Sequence, residues 1–249
     1  MQLRLAILFL SLFCTLGTTS LSAQGTQGVQ VERVLIVGDS WSANTWAENS
    51  MDEAFAWRGH SDKIAVGDQT GIPATTTTDW NSPAFRQLIQ AELLAHPTID
   101  LVHLTVGGAD FLNGWDNSMT LPEEQILFDA VADGVEEIIN FIHFLDPTIE
   151  VVFAGYDYLN MDELPQVNPN DFLIWQGLGF PTTRRLNDSL SLMEETIRTR
   201  ILTNPLVHFI NNSGLMQFLY GYPSLGLPPR RVPLPGNEST GFIPAQGGN

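Results

Sequence analysis

The stretch Val34-Leu35-Ile36-Val37-Gly38-Asp39-Ser40-Trp41-Ser42 contains the clearest structural signal in the chain. Four consecutive aliphatic residues are typical of a strand that is buried on both faces of a sheet. The glycine after them predicts a tight turn, and residues 43–57 are compatible with a helix. Ser40 is therefore expected at a strand–helix junction, where its backbone N–H lies at the positive end of the helix dipole. An ordinary helix-capping serine fits the same pattern.

Four more apolar runs repeat the strand pattern along the chain, at 63–66, 101–106, 151–154 and 207–210. Helix signals separate them: Ser82-Pro83 predicts a helix start, Thr120 and Glu123 have capping-box spacing, and apolar residues recur every three to four positions over 186–201. Alternating strands and helices predict a parallel sheet with helices on both faces. The expected fold is a three-layer α/β/α sandwich with a five-stranded parallel sheet.

Glycine-led turns follow the first three predicted strands. They are Gly38-Asp39-Ser40, the segment from Gly67 to Gly71, and Gly107-Gly108-Ala109-Asp110. In an open parallel sheet, ligands bind at the carboxyl ends of the strands, where all three turns are expected. Gly71 offers an unhindered backbone N–H there, although taken alone it is also an ordinary turn glycine.

Taken in order, these three turns resemble the first three sequence blocks of the GDSL/SGNH hydrolase family. The resemblance covers residues 33–115 and implies a flavodoxin-like sheet and a serine esterase or lipase-like activity. By this resemblance Ser40 attacks an ester carbonyl, and the backbone N–H groups of Ser40 and Gly71 hold the oxyanion together with an asparagine side chain. Asp39 and Asp110 would brace the loops.

The chain departs from the family pattern at Ala109, which stands where the family has the oxyanion-binding asparagine. A methyl group donates no hydrogen bond, and the loss of one such donor lowers turnover by about 10²–10³. Asn113 lies one helical turn further on and is the alternative donor if the loop begins a helix.

A second departure concerns the general base. The resemblance implies a histidine near the C-terminus, three residues after an aspartate, that activates the serine. None of the five histidines fits, because each is predicted to lie within a strand or at the opposite edge of the sheet: His60, His96, His103, His143 and His208. Asp100 and His103 have the spacing, but within a strand their side chains point to opposite faces.

These departures predict an impaired ester hydrolase. Two explanations fit the missing histidine. A sequence cut off before its catalytic end is favoured over a family member that has lost the histidine. The alternative is a non-catalytic carbohydrate- or lipid-binding protein on the same fold. Four tryptophans near the expected site edge suit sugars and acyl chains, and suit core or lid packing at least as well: Trp41, Trp46, Trp80 and Trp115.

The N-terminus has the order of residues of a secretory signal peptide. Arg4 precedes an apolar run over 5–16, and small residues lead to a cleavage site after Ala23. The run is too short for a membrane span, which needs roughly 20 residues. We therefore expect a secreted or periplasmic protein with a signal peptide at 1–23, one domain at 24–221 and a Pro/Gly-rich tail at 222–249.

Composition narrows the set of partners. The chain has 28 acidic and 11 basic residues, a net charge of −17, which disfavours binding to nucleic acid. The only cysteine, Cys14, lies in the predicted signal peptide, so the mature form has no thiol chemistry. No phosphate-binding loop or metal-ligand cluster is evident, and no cofactor or metal is predicted. The expected partner is a small-molecule, lipid or saccharide ester, and the oligomeric state stays open.

Overall fold

The architecture comes from a computed structural model that describes residues 29–159 and 169–215. The strands are β1 (Val31–Gly38), β2 (Lys63–Val66), β3 (Leu101–Thr105), β4 (Glu150–Ala154) and β5 (Val207–Ile210). The helices are α1 (Ser40–Ala47), α2 (Ser50–Trp57), α3 (Thr77–Asn81), α4 (Pro83–Ala95), α5 (Gly108–Gly114), α6 (Leu121–Leu145), α7 (Pro169–Gly177) and α8 (Thr183–Ile201). The predicted signal peptide and the tail at 222–249 lie outside the described residues.

All five strands are parallel and lie in the order β2-β1-β3-β4-β5. This is the order of flavodoxin-like sheets. The register aligns Leu35 with Val102, Val102 with Val151 and Val151 with Val207. Since the strands share one direction, their carboxyl ends meet at one edge. The predicted five-stranded parallel sheet in a three-layer sandwich is confirmed.

The main hydrophobic core lies between the sheet and helices α4, α6 and α8. It joins Leu104 and Phe153 of the sheet to Ile89 of α4, Val135 of α6 and Met193 of α8, all of them fully buried. Helices α1 and α2 pack on β1 and β2 and complete the third layer. Burial on both faces explains why the strands are apolar along their length.

Two predicted helix starts are confirmed. Pro83 occupies the first turn of α4, and the Thr120–Glu123 capping box begins α6. Residues 43–57 were expected as one helix, but they divide into the end of α1 and all of α2. The interruption is at Asn49, whose φ of 55° is left-handed, a conformation that asparagine tolerates better than most residues.

Candidate active site

The junction between β1 and α1 depends on a close approach of two backbones. Gly38 has a φ of 139°, and a Cβ there would lie 1.8 Å from the carbonyl oxygen of Thr105 at the end of β3. The next residue, Asp39, donates its N–H to that same oxygen at 3.0 Å. Ser40 then begins α1 and is half-buried at the carboxyl edge. Within the described ranges, its hydroxyl has no hydrogen-bond partner.

The loop after β2 is held against this junction. The N–H of Gly38 donates to Thr70 O, and the N–H of Ile72 donates to Gly38 O, each at 2.9 Å. Gly71 therefore lies beside Gly38, and a Cβ on Gly71 would come within 2.9 Å of the Ala43 Cα in α1. Glycine at 71 is required by this contact with α1.

The expectation of an unhindered N–H at Gly71 needs correction. That N–H donates to the carbonyl oxygen of Gly67 at 2.7 Å, because the loop closes into a tight turn. To hold an oxyanion, Gly71 would have to release or share this hydrogen bond. The backbone N–H of Ser40, by contrast, is not used in capping the helix. The Asp39 side chain caps α1 by accepting from Trp41 N at 3.0 Å and not from Ser40 N.

A buried hydrogen-bond chain joins the turns after β1, β3 and β4. The N–H of Gly108 donates to the Tyr156 hydroxyl oxygen at 2.8 Å, and that hydroxyl donates to Asp39 Oδ2 at 2.5 Å. Sequence reasoning did not identify Tyr156. The available signal was its position, two residues after β4 at the same carboxyl edge.

Burial sets the charge states in this chain of hydrogen bonds. Asp39 is 2% exposed, and desolvation raises its pKa to about 6 against the opposing effect of the hydrogen bonds from Tyr156 and Trp41. Desolvation and the adjacent Asp39 carboxylate raise the pKa of Tyr156 well above its usual value. The phenol therefore stays protonated at neutral pH and donates a hydrogen bond to Asp39.

Asp110 connects α5 to α3. Its carboxylate accepts the backbone N–H of Thr77 at 2.9 Å and the Thr77 hydroxyl at 2.7 Å. Burial raises the pKa of Asp110, and the two Thr77 hydrogen bonds oppose that shift. These contacts hold the turn after β3 against the segment that follows Gly71.

Ala109, which stands at the sequence position expected for the oxyanion-binding asparagine, is half-buried in the first turn of α5. The turn does begin a helix, which is the condition under which Asn113 was proposed as an alternative donor. Asn113 lies one turn further along α5, and its side chain is exposed. Within the described residues no hydrogen bond orients the Asn113 amide.

His103 lies in the middle of β3, opposite Ile36, and not at the carboxyl edge. Its Nδ1 is buried without a hydrogen-bond partner, and desolvation lowers its pKa to about 4. Asp100, which has the expected spacing from His103, instead pairs with Arg33 through a guanidinium–carboxylate contact, with Nε donating at 3.1 Å.

The other four histidines are also distant from the carboxyl edge along their elements. His60 precedes β2, His96 follows α4 and His143 lies in the last turn of α6, so all three are at the amino edge. His208 lies within β5 and pairs with Glu150 at 3.1 Å. No histidine of the described ranges lies in the turns around Ser40.

Two buried carboxylates around Tyr156 were not identified from the sequence, and one of them, Glu194, accepts a hydrogen bond from Tyr156. Glu194 of α8 accepts the N–H of Tyr156 at 2.5 Å, and desolvation raises its pKa to about 8. Asp157 accepts the N–H of Gly214, which follows β5, at 2.7 Å. An acidic residue between Met193 and Ile197 on the apolar face of α8 was the sequence signal for such a group.

The tryptophans differ in role. Trp80 and Trp115 are buried, and Trp115 Nε1 donates to Glu124 at 2.5 Å, so both serve packing. Trp41 packs edge-on against Tyr156 with the ring centroids 6.0 Å apart, and Trp46 is 42% exposed.

In the described part of the chain, no group of three or more His, Cys, Asp or Glu side chains has an arrangement for a metal ion.

Comparison with known proteins gives matches at the level of structure. No protein-family model matches the sequence, and no curated protein matches it. A gut microbial diltiazem-metabolizing enzyme matches with a TM-score of 0.51 and 13% identity, over 86% of this chain and 44% of that one. A lipase from a goat rumen metagenome matches with a TM-score of 0.49 and 10% identity, over 76% of this chain and 86% of that one.

Carbohydrate esterases are also among the matched structures. The carbohydrate acetylesterase Est24 from Sinorhizobium meliloti has a TM-score of 0.48 and 17% identity, over 73% of this chain and 84% of that one. At these identities the likeness describes a shared fold.

Within the described ranges, no helix has the length and apolar character needed to cross a membrane.

Proposed function

We propose that the chain is an exported serine ester hydrolase of the GDSL/SGNH type that acts on an acyl or acetyl ester, with Ser40 as the nucleophile. The observation that carries the proposal is the position of Ser40, which begins a helix at the carboxyl edge between two glycine-dependent backbone contacts. A hydroxyl at this position is half-exposed at the N-terminal end of α1, where the positive end of the helix dipole attracts a negative charge.

The chemistry follows from that position. The Ser40 Oγ forms a bond to the carbonyl carbon while its proton passes to a base, and the carbonyl oxygen becomes an oxyanion near the Ser40 N–H. Collapse of the intermediate breaks the bond to the alcohol oxygen, which takes up the proton, and water later releases the acid. Asp39 is committed to Trp41 and Tyr156, so its role is to hold the turn rather than to accept the proton.

Turnover is expected to be slow. Ala109 provides no side-chain donor to the oxyanion, Gly71 N–H is engaged by Gly67, and the described turns around Ser40 contain no histidine. An unassisted serine hydroxyl is a weak nucleophile, since it remains protonated at neutral pH.

The same observations support a second candidate, a non-catalytic protein that binds a carbohydrate or lipid at this edge. An oxyanion site with one donor replaced and another engaged is what a member without hydrolytic function would retain. Trp46, exposed on α1, offers an aromatic face to such a ligand.

Comparison of Ser40→Ala with the unchanged chain tests the hydrolase proposal. We expect hydrolysis of p-nitrophenyl acetate and covalent labelling by a fluorophosphonate, both abolished in Ser40→Ala and retained in Ser61→Ala, which alters an exposed serine before β2. Hydrolysis that is equal in both variants would assign the activity to another group. No hydrolysis or labelling, with retained binding of an acyl or sugar ligand in Ser40→Ala, would establish the binding protein instead.

A further inference from the structure

Helix α7 and the turn after it expose apolar side chains. The exposed fractions are 42% for Phe172, 61% for Leu173, 38% for Ile174 and 48% for Phe180. No residue of α7 is buried. From 172 to 183 the sequence contains no charged residue, and six of the nine residues from 172 to 180 are apolar. We call Phe172, Leu173, Ile174 and Phe180 the α7 surface.

Ring contacts join the two phenylalanines of the α7 surface to each other and to Trp175. The ring centroids of Phe172 and Phe180 are 6.2 Å apart, and Trp175 lies against Phe180 at 5.0 Å in an edge-to-face arrangement. Phe172 and Phe180 therefore form one aromatic cluster with Trp175, and the exposed Leu173 and Ile174 lie between Phe172 and Trp175 in the chain, whereas a single exposed leucine or phenylalanine would be unremarkable. Contiguous exposed apolar patches mark interaction sites in soluble proteins.

The patch is anchored to the rest of the domain at its C-terminal end. Leu178 is buried and accepts the backbone N–H of Asn117 at 2.9 Å, and Trp175 Nε1 donates to Pro181 O at 2.8 Å. Asn117 belongs to the connection between α5 and α6, which begins just after the turn that carries Ala109. The exposed side chains thus extend from a fixed support.

The anchor also places the α7 surface at the edge that carries Ser40. Helix α7 lies between the carboxyl end of β4 and the first residue of α8. Since α8 leads into β5, its first turn lies at the carboxyl edge of the sheet. The patch and the proposed nucleophile therefore lie on the same side of the molecule.

Charge distinguishes between the partners that an apolar patch can accept. The whole chain carries a net charge of −17, so two copies repel each other and an anionic surface is also disfavoured. The patch itself is uncharged, and phenylalanine and leucine are among the side chains that helices lying at the boundary between water and an apolar phase bury there. An uncharged lipid surface satisfies both conditions.

We infer that the α7 surface binds an uncharged lipid–water interface and that the substrates are esters with apolar acyl chains presented there. The substrate assignment rests on the proposed hydrolase function, whereas the binding does not. Transfer of an apolar side chain from water into the interface supplies the free energy of binding. Ser40 at the same edge then faces the ester groups of the bound layer.

Sedimentation with sucrose-loaded phosphatidylcholine vesicles tests the binding. The probe proteins are the chain from residue 24 onward, Ser40→Ala, Leu173→Ser and Phe144→Ser. We expect partitioning of the first two to be equal, with a loss of about tenfold in Leu173→Ser, as follows from burying one leucine side chain. Phe144→Ser is the matched control, because Phe144 is 81% exposed but lies in the last turn of α6 at the amino edge.

Absence of partitioning by the unchanged chain, or equal losses in Leu173→Ser and Phe144→Ser, would overturn the inference. A dimer seen by light scattering that dissociates in Leu173→Ser would assign the α7 surface to self-association, which also overturns it. Circular dichroism verifies that the variants are folded. Hydrolysis of soluble p-nitrophenyl acetate reports separately on the hydrolase, so either proposal can fail while the other stands.

Discussion

Asp39 shows how one side chain organises the proposed site at the residue scale. Its two carboxylate oxygens accept different donors, the backbone N–H of Trp41 and the hydroxyl of Tyr156. Because the Tyr156 hydroxyl also accepts from Gly108, the ends of β1, β3 and β4 are joined through one buried carboxylate. Buried polar groups with all partners present add order to the structure around them. The turn that presents Ser40 is correspondingly well defined.

Ala109 is the residue at which a substitution should raise activity. We expect Ala109→Asn to increase kcat for p-nitrophenyl acetate by at least about tenfold, since one oxyanion donor accounts for about 10²–10³ in turnover. KM should change little, because the new hydrogen bond forms to the transition state and not to the ground state. Steady-state kinetics on both chains measures the two constants.

Ala109→Asp is the matched control for this gain. Its side chain has nearly the shape of asparagine, but the ionised carboxylate donates no hydrogen bond and carries a charge that opposes an oxyanion. It should show no gain. Equal rates in the Asn and Asp variants would show that this position does not face the reacting carbonyl.

Sequence reasoning reached some of these residues and not others, for a physical reason. Ser40, Gly71 and Ala109 lie in the turns that follow strands, so strand patterns alone place them at one edge. Tyr156 acts through a hydroxyl that spans from β4 to β1, a contact between residues 117 positions apart that no local pattern encodes. The engaged N–H of Gly71 depends in the same way on a loop conformation that local patterns leave open.

At the element scale, the β1–α1 junction is the most constrained connection of the proposed site. Gly38→Ala should destabilise the domain by about 4 kcal/mol or more, because the added Cβ meets a backbone oxygen at 1.8 Å that no rotamer change can move. Urea denaturation followed by circular dichroism measures the loss, and failure to obtain folded protein is the extreme of the same outcome.

Gly59→Ala isolates the cost of the backbone conformation from the cost of crowding. Gly59 also has a positive φ, 83°, but a Cβ there meets nothing within 4 Å. It should cost about 1–2 kcal/mol, the value for a non-glycine residue in the left-handed region. If the two variants lose equal stability, the close approach of β1 to β3 is not what requires Gly38.

Elements were predicted well where the sequence pattern is long and poorly where local geometry decides. The five strands and the starts of α4 and α6 have strong apolar or capping signals. The division of 43–57 depends on the left-handed φ of one residue, Asn49, which apolar spacing does not report. The short helix α3 was not predicted, and a helix at α5 was considered only as the condition for Asn113, because elements of five and seven residues contain too few turns for a period to be recognised.

At the scale of the whole molecule, acidity and burial together set the response to pH. The chain carries 28 acidic residues, and most of those in the described ranges are exposed or only partly buried. Glu194 is an exception, because it lies 4% exposed in α8 with Asp157 nearby, and its pKa is raised from 4.5 to about 8. Between these two pH values the unfolded chain loses the proton of Glu194 while the folded chain keeps it. The stability associated with this proton is present below pH 4.5 and is lost as the pH rises to about 8.

Glu194→Gln should remove this dependence, because a neutral amide oxygen can still accept the N–H of Tyr156 and the NH₂ group can donate to the nearby Ser213 hydroxyl. The Tm of the variant should match that of the unchanged chain at pH 4.5 and exceed it by several degrees at pH 8, at about 2–4 °C for each kcal/mol in a domain of this size. Because the pKa of Asp39 is raised to about 6, the Tm of both proteins should fall alike as the pH rises from about 4 to 6. Thermal melts at pH 4.5, 6 and 8 measure the difference. Parallel Tm profiles for the two proteins would mean that Glu194 is ionised in the fold and that Tyr156 is held by a carboxylate rather than by an acid.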